Sequence, residues 1–405
     1  MSTATEQRMT TQEYIELEEK YGAHNYHPLD VVIDRAQGAW VTDVEGRRYL
    51  DCLAAYSAVN QGHCHPKILH AITEQASKVT LTSRAFRNSQ FPLLLQELHE
   101  LTGFEMALLM NSGAEAVETA LKTARRWGYR VKGIPRDRAE IIVCANNFHG
   151  RTISVISFST EESYRDSFGP FTPGFKVIPF GDAKALEEAI TSHTCAFLCE
   201  PIQGEAGVVL PPPGFLAMAA KICQEKNVLF MLDEIQSGFG RTGKLFAFEH
   251  EEARPDVLIV GKALAGGFYP VSAVLASRDV LGLFKPGDHG STFGGNPLGC
   301  AAARAALQVI VEEKLCERSA ELGEYFLRRL RTLSNPLIRE VRGRGLWIAI
   351  ELTVAARPYC ERLRDLGVLC KETHERVIRI APPLVITREE IEWACERFEQ
   401  VFQPR

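Results

Sequence analysis

The sequence predicts an α/β fold: a large domain with a mostly parallel central sheet covered by helices, followed by a smaller α/β domain. Three observations predict it. Short apolar runs recur at strand length between residues 106 and 263, helical segments separate most of them, and the runs are apolar on both faces. Such strands must be covered on both sides, as in sheets whose crossovers are helices.

The elements follow in chain order. Residues 1 to about 20 read as a helix lead-in with a solvated face. The stretch VVIDRAQGAWVTDVEGRRYLD (31–51) alternates and is broken by Gly38 and Gly46, which predicts a small antiparallel sheet with hairpin turns. Strand-length runs then appear at MALLM (106–110), EIIVCA (140–145), CAFLCE (195–200), VLFMLDE (228–234) and VLIVGKA (257–263). Helical segments at 114–129 and 215–227 lie between them. From about Leu307 helix and strand alternate again, through VRGRGLWIAIEL and ERVIRIAPPL. The expected division is an N-terminal segment 1–56 packing with the small domain, a large domain 57–306 and a small domain 307–405.

Composition narrows the function classes. The 405 residues suit two domains, and 45% hydrophobic with 24% charged residues is ordinary globular composition. A net charge of -5 without a Lys/Arg block argues against nucleic acid as a partner. The 11 cysteines form no CxxC pairs and suit a reducing compartment. The first 20 residues hold no apolar core of a signal peptide and are acidic rather than Arg-rich, and no run approaches a membrane span of about 20 apolar residues. The expected location is the cytoplasm.

Ligands of doubly wound sheets sit beyond the carboxyl ends of the strands, and four places there carry chemistry. Asn111-Ser112-Gly113-Ala114 opens a helix whose N–H groups suit a phosphate, or Ser112 is a simple cap. Asp233-Glu234 ends VLFML, where a carboxylate suits a pyridinium nitrogen or caps the next turn. Lys262, entered from an apolar strand and flanked by glycines, suits a Schiff-base nucleophile, or it snorkels to the surface. The loop from His289 to Pro297 is a polar glycine-rich donor or a flexible turn. Phosphate cup, acid and lysine on successive strand ends together form the layout of an α/β pyridoxal-5'-phosphate (PLP) enzyme.

Other features take plainer readings. His63-Cys64-His65 lacks a third placed metal ligand and reads as structural packing. Cys144, Cys195 and Cys199 read as core thiols, Arg125-Arg126 as a solvated helix face, and Glu200 as a strand-end hydrogen-bond partner.

The blocks GAHNYHP (22–28), YSAVNQGHCHPKI (56–68), LTSRAF (81–86), FHGRT (148–152), EPIQGEAGV (200–208), DEIQSGFGRTG (233–243), GKALAGGFYPVSAVL (261–275), HGSTFGGNPLGC (289–300) and RIAPPL (379–384) resemble the ornithine aminotransferases. These are class III, fold-type-I PLP enzymes. The similarity runs from about Tyr21 into the C-terminal domain.

The resemblance implies that Lys262 carries PLP and serves as general acid and base, that Asp233 pairs with the ring nitrogen, and that Gln236 bonds the ring hydroxyl. Phe148 would stack on the ring. Ser112, Gly113 and Ala114 would hold the phosphate, with Thr292, beside Ser291, reaching it from a neighbouring subunit in a homodimer. Arg151 would clamp the α-carboxylate of ornithine and the distal carboxylate of 2-oxoglutarate. Tyr26 and Tyr56 would shape the ornithine wall, and Ser291 would line the substrate side. Arg379 would take the α-carboxylate of glutamate, with Glu205 covering it during the ornithine half-reaction. The implied products are glutamate and glutamate 5-semialdehyde, which closes to pyrroline-5-carboxylate, placing the enzyme in arginine and ornithine breakdown. His149 stands where animal members have Trp, and acetylornithine aminotransferases share FHGRT. Acetylornithine or 4-aminobutyrate aminotransferase is therefore the nearest rival, followed by a PLP aminomutase or decarboxylase and by a non-catalytic protein of the same fold.

Overall fold

A computed structural model describes residues 9–403. Its centre is a seven-stranded sheet. In spatial order the strands are Met106–Met110, Ser272–Ala276, Val257–Val260, Leu229–Asp233, Thr194–Cys199, Glu140–Cys144 and Phe175–Ile178. Only Ser272–Ala276 runs against its neighbours, so the sheet is mostly parallel, as expected.

Every residue of Thr194–Cys199, Leu229–Asp233 and Val257–Val260 is buried. Alternate side chains feed two separate cores. Leu229, Met231, Val257 and Ile259 pack on the side of the helix Gly113–Arg130, while Phe230, Leu232, Leu258 and Val260 pack on the other. That period of two explains why continuous rather than alternating apolar text marks these strands. Burying one such side chain contributes roughly 1.5–3 kcal/mol.

Several expected strands stop early, and the early stops place chemistry. The run 228–234 ends as a strand at Asp233, and the run 257–263 ends at Val260. Lys262 instead opens a short turn, Lys262–Ala265, with a left-handed φ of 45°. The Leu264 N–H bonding back to the Gly261 carbonyl closes that turn and breaks the strand.

The expected N-terminal sheet forms from Ile33–Gln37, Trp40–Asp43 and Arg48–Asp51, with left-handed Gly38 and Gly46 at its turns. Its last strand pairs in parallel with Val368–Leu369, which ties it to the C-terminal part of the chain. That part has an antiparallel sheet of Ile338–Arg344, Trp347–Leu352, Val377–Ile380 and Lys371–Thr373. The helix Leu315–Arg331 packs on it, and Arg388–Phe402 packs on that helix. Residue 306 lies inside the helix Pro297–Glu312, which runs on from the large sheet's side.

The N-terminal lead-in forms a helix, Thr11–Tyr21, with no buried residue; residues 1–8 of that stretch lie outside the described ones. Arg125 and Arg126 depart from the solvated face expected of them. Both are half-buried, because their guanidinium groups reach the carbonyls of Pro173 and Leu283 and Arg126 also pairs with Asp288. His63 and His65 bond different carboxylates, those of Asp51 and Glu313. Cys144, Cys195 and Cys199 are buried free thiols.

Candidate active site

Strand ends from the central sheet converge on a cavity of about 190 Å³. Gly113, Ala114, Phe148, Asp233, Gln236 and Lys262 all line it, so it gathers most of the expected cofactor residues.

Alternation along Leu229–Asp233 decides which of two adjacent acids serves the cavity. Asp233 shares the face of Leu229 and Met231 and lines the cavity. Glu234 points away, accepting the N–H groups of Ala247 and Phe248 and the Ser237 hydroxyl. Asp233 Oδ1 accepts the Ile235 N–H at 3.0 Å, and Oδ2 is 2.7 Å from His149 Nδ1. Burial works against a charge on His149, yet the hydrogen bond and charge of Asp233 outweigh it and raise the imidazole pKa. Glu200 lies just past its strand, as the plainer reading expected, and accepts the Phe148 N–H at 3.0 Å. Burial pushes its carboxyl up to about 7.

Burial and the nearby Arg379 charge lower the Lys262 amine to about 8. A lysine so tuned loses its proton near pH 8 rather than 10.5, and its uncharged form can attack an aldehyde.

At the phosphate end, Ser112 caps the helix Gly113–Arg130. Its hydroxyl accepts the Glu115 N–H, and its own N–H goes to the Glu115 carboxylate at 2.7 Å. Gly113 and Ala114 occupy the first helical positions, where an N–H has no carbonyl four residues back within the helix. Gly150 lies close by with φ of 117°, and a Cβ there would stand 2.9 Å from that of Ala114.

These residues fit PLP. The Gln236 Oε1 and the His149 Nε2 are buried without a hydrogen-bond partner, so the cavity wall holds polar atoms that await a ligand. The helix start suits its phosphate, Asp233 a ring nitrogen and Lys262 its aldehyde.

Glu205 and Arg379 form a second cluster beside the first. Glu205 Oε1 is 3.0 Å from Arg379 Nη1 and accepts from Gln236 Nε2 at 3.3 Å. The Arg379 guanidinium lies 5.3 Å from the ring centres of both Tyr56 and Trp347. Its Nε and Nη2 have no hydrogen-bond partner, and burial lowers its pKa. Tyr56 sits in four successive left-handed residues, Ala54 to Ser57. Such backbone costs on the order of 1–2 kcal/mol per residue.

Arg151 makes a third, exposed cluster. Its guanidinium lies 4.5 Å from the Tyr164 ring centre, 5.8 Å from Tyr26 and 5.9 Å from Phe148, and it pairs with no carboxylate among the described residues. A wider cavity of about 390 Å³ opens between Tyr26 and Tyr56.

Ser112, Ser291 and Thr292 are not among the residues lining the cofactor cavity, and the Ser112 hydroxyl is engaged in its helix cap. Ser291 takes a bond from Asn111 Nδ2 at 2.9 Å, and Thr292 is exposed. Four others were missed as site members: His149, Glu200, Tyr164 and Trp347. His149 follows Phe148 and Glu200 ends an apolar run, so both had a local signal. Trp347 reaches the site only through tertiary packing.

Comparison with known proteins agrees with this geometry. The class-III aminotransferase family model matches residues 21–402. An ornithine aminotransferase of Brevibacillus brevis is 60% identical over 96% of this chain and 97% of its own length. The solved ornithine aminotransferase of Toxoplasma gondii superposes with a TM-score of 0.97 at 46% identity, covering 98% of this chain and 95% of that one. The solved acetylornithine aminotransferase of Elizabethkingia anophelis has a TM-score of 0.90 at 50% identity, covering 97% of this chain and 99% of that one. On sequence, fold and site together, the chain belongs to the class-III aminotransferase family.

Proposed function

We propose that this chain is an ornithine 5-aminotransferase using PLP. It moves the distal amine of L-ornithine to 2-oxoglutarate in two alternating half-reactions. The products are glutamate and glutamate 5-semialdehyde, which closes to pyrroline-5-carboxylate. Bound PLP supplies the electron sink that makes the substrate C–H bond next to the amine acidic.

The protein's own residues do the rest. Gly113 and Ala114 N–H groups hold the phosphate, and Asp233, steadied by His149, keeps the ring nitrogen protonated. Gln236 Oε1 accepts from the ring hydroxyl, and Phe148 packs against the ring. Lys262 anchors the cofactor. Its amine would also be the group that takes and returns the substrate proton.

The observation that carries the donor assignment is the Glu205–Arg379 pair at 3.0 Å. An uncovered Arg379 would clamp the α-carboxylate of any amino acid and present its α-amine. With Glu205 closed on it, that cation is neutralised. Arg151 then offers the guanidinium for ornithine's carboxylate, leaving the distal amine free for the cofactor carbon that Lys262 would hold. When glutamate or 2-oxoglutarate enters, its own carboxylate replaces Glu205 on Arg379 and the distal one takes Arg151.

The Elizabethkingia anophelis relative keeps acetylornithine aminotransferase as the second reading. An absorbance titration of the bound cofactor with ornithine, N-acetylornithine and 4-aminobutyrate separates them. Ornithine is expected to react fastest; faster turnover of N-acetylornithine would make the donor assignment wrong.

The same reading makes the enzyme a cytoplasmic homodimer. Thr292 is exposed and is not among the residues lining its own chain's cavity, which suits a contribution to a second subunit's phosphate. Sedimentation that returns only monomer in an active sample would sink that assembly. No helix among the described residues is long and apolar enough to cross a membrane.

A further inference from the structure

The segment from Asp51 to His63 passes the mouth of the site in a conformation that side-chain-bearing residues avoid. Ala54, Ala55, Tyr56 and Ser57 have φ of 48°, 46°, 57° and 71° in succession. No glycine relieves this turn, so surrounding contacts must hold it.

Asp51 supplies those contacts at the entrance. Its Oδ1 accepts the N–H groups of Leu53 at 2.8 Å and Ala54 at 2.9 Å. Its Oδ2 stands 2.7 Å from His63 Nε2. One buried carboxylate thus ties the start of the turn to the far end of the segment. His63 is itself fixed, because its N–H and carbonyl both pair with Gly38. Beyond the turn, Gln61 Nε2 donates to the Ala263 carbonyl, next to Lys262.

Tyr56 rides on this turn, with its ring 5.3 Å from the Arg379 guanidinium. Two nitrogens of that guanidinium lack hydrogen-bond partners. Its position therefore depends on Glu205 and on the faces of Tyr56 and Trp347.

We propose that Asp51 and His63 are positioning residues for substrate choice: they hold the left-handed turn, and the turn holds Tyr56 where it fixes Arg379 for a carboxylate. The inference rests on the reading of Arg379 as the glutamate and 2-oxoglutarate site. Both line the wider cavity beside Tyr56, but their hydrogen bonds go to the turn, to Gly38 and to each other rather than to Arg379. Their loss acts chiefly at Arg379, through the turn, rather than at Arg151, the ornithine clamp.

The test uses holoenzyme carrying Asp51→Ala, Asp51→Asn or His63→Leu, with each half-reaction followed separately by cofactor absorbance. In Asp51→Ala and His63→Leu, the half-saturating 2-oxoglutarate and glutamate concentrations should rise about tenfold. The limiting rates should stay within about threefold, and the half-saturating ornithine concentration should rise clearly less than that of 2-oxoglutarate, by no more than about threefold, because Tyr56 also borders the ornithine side while Arg151 does not ride on the turn. Asp51→Asn keeps an acceptor for both turn N–H groups and should recover most of the loss. Parallel decline of both half-reactions, or no change in either, overturns the clamp. If Asp51→Ala does not fold, His63→Leu, which keeps both turn caps, carries the same expected split. A wild type that reacts with glutamate but not ornithine overturns the donor assignment alone. The glutamate arm then decides the clamp, and an unchanged half-saturating glutamate concentration sinks it.

Discussion

Glu205 Oε1 stands 3.0 Å from Arg379 Nη1, with the guanidinium 1% exposed and the carboxylate 23% exposed. The acid is the outer member of the pair and the cation the inner one. Glu205 therefore covers the buried cation from the outside, and a substrate carboxylate is expected to reach Arg379 by displacing it.

Glu205→Gln should uncover the cation. Its half-saturating 2-oxoglutarate concentration should fall several-fold, because no charged group must be displaced. Selectivity for ornithine's distal amine over its α-amine should fall as well, since Arg379 can then clamp the wrong end. Product analysis by mass, with the two half-reactions timed separately, reads both effects. Unchanged selectivity with an unchanged 2-oxoglutarate response would remove Glu205 from the mechanism.

Lys262 should show a proton equilibrium far from that of an ordinary lysine. Burial and Arg379 lower its amine to about 8. The cation is disfavoured in the folded chain, so the uncharged, reactive form appears as pH rises through about 8 rather than through 10.5. In protein stripped of cofactor, the uptake rate of PLP should rise to half its maximum near that pH. The linked stability should increase between pH 8 and 10.5, where the unfolded lysine holds more protons than the folded one. Arg379→Gln should move the midpoint upward. A wild-type midpoint close to 10.5 would contradict the placement of the amine.

His149 should matter through Asp233. Removing a hydrogen bond to a charged group costs about 1.5–3 kcal/mol, or roughly 10- to 100-fold in an equilibrium. His149→Phe should weaken PLP binding by about that factor, measured by titrating the stripped protein. His149→Asn, which keeps a donor, should lose less. Equal affinity in all three proteins would show that Asp233 needs no such support.

Much of the fold was readable because burial leaves a local trace. Leu229 to Leu232 and Val257 to Val260 are apolar at every position, since each faces one of two cores. The cavity-lining Asp233, Lys262 and Gly113 were readable for a related reason: each stands at or within three residues of the end of such a run. Trp347 and Tyr164 were not readable, because their neighbours Arg379 and Arg151 come to them through tertiary packing. The left-handed turn at Tyr56 was equally hidden. Alanine, tyrosine and serine carry no mark of positive φ, and the acid that holds the turn precedes it by only a few residues.

Glu200 gives a stability prediction whose sign follows from burial. The carboxyl is raised to about 7 in the folded chain against 4.5 for the ordinary group, chiefly by desolvation and also by the Asp233 charge. Between those values the folded chain holds the proton more tightly than the unfolded one, so this group's contribution weakens as pH rises and is lost above about 7. Glu200→Gln keeps a carbonyl oxygen to accept the Phe148 N–H and cannot ionise. Near pH 5 the variant and the wild type should melt at similar temperatures. At pH 8 the variant should be more stable, by on the order of 1–3 kcal/mol. Glu234 is raised in the same way but is present in both proteins, so it cancels from the comparison. Denaturant unfolding of the two stripped proteins across pH 5–8 isolates the difference. Parallel curves would mean that Glu200 ionises normally and that its bond to Phe148 offsets the burial.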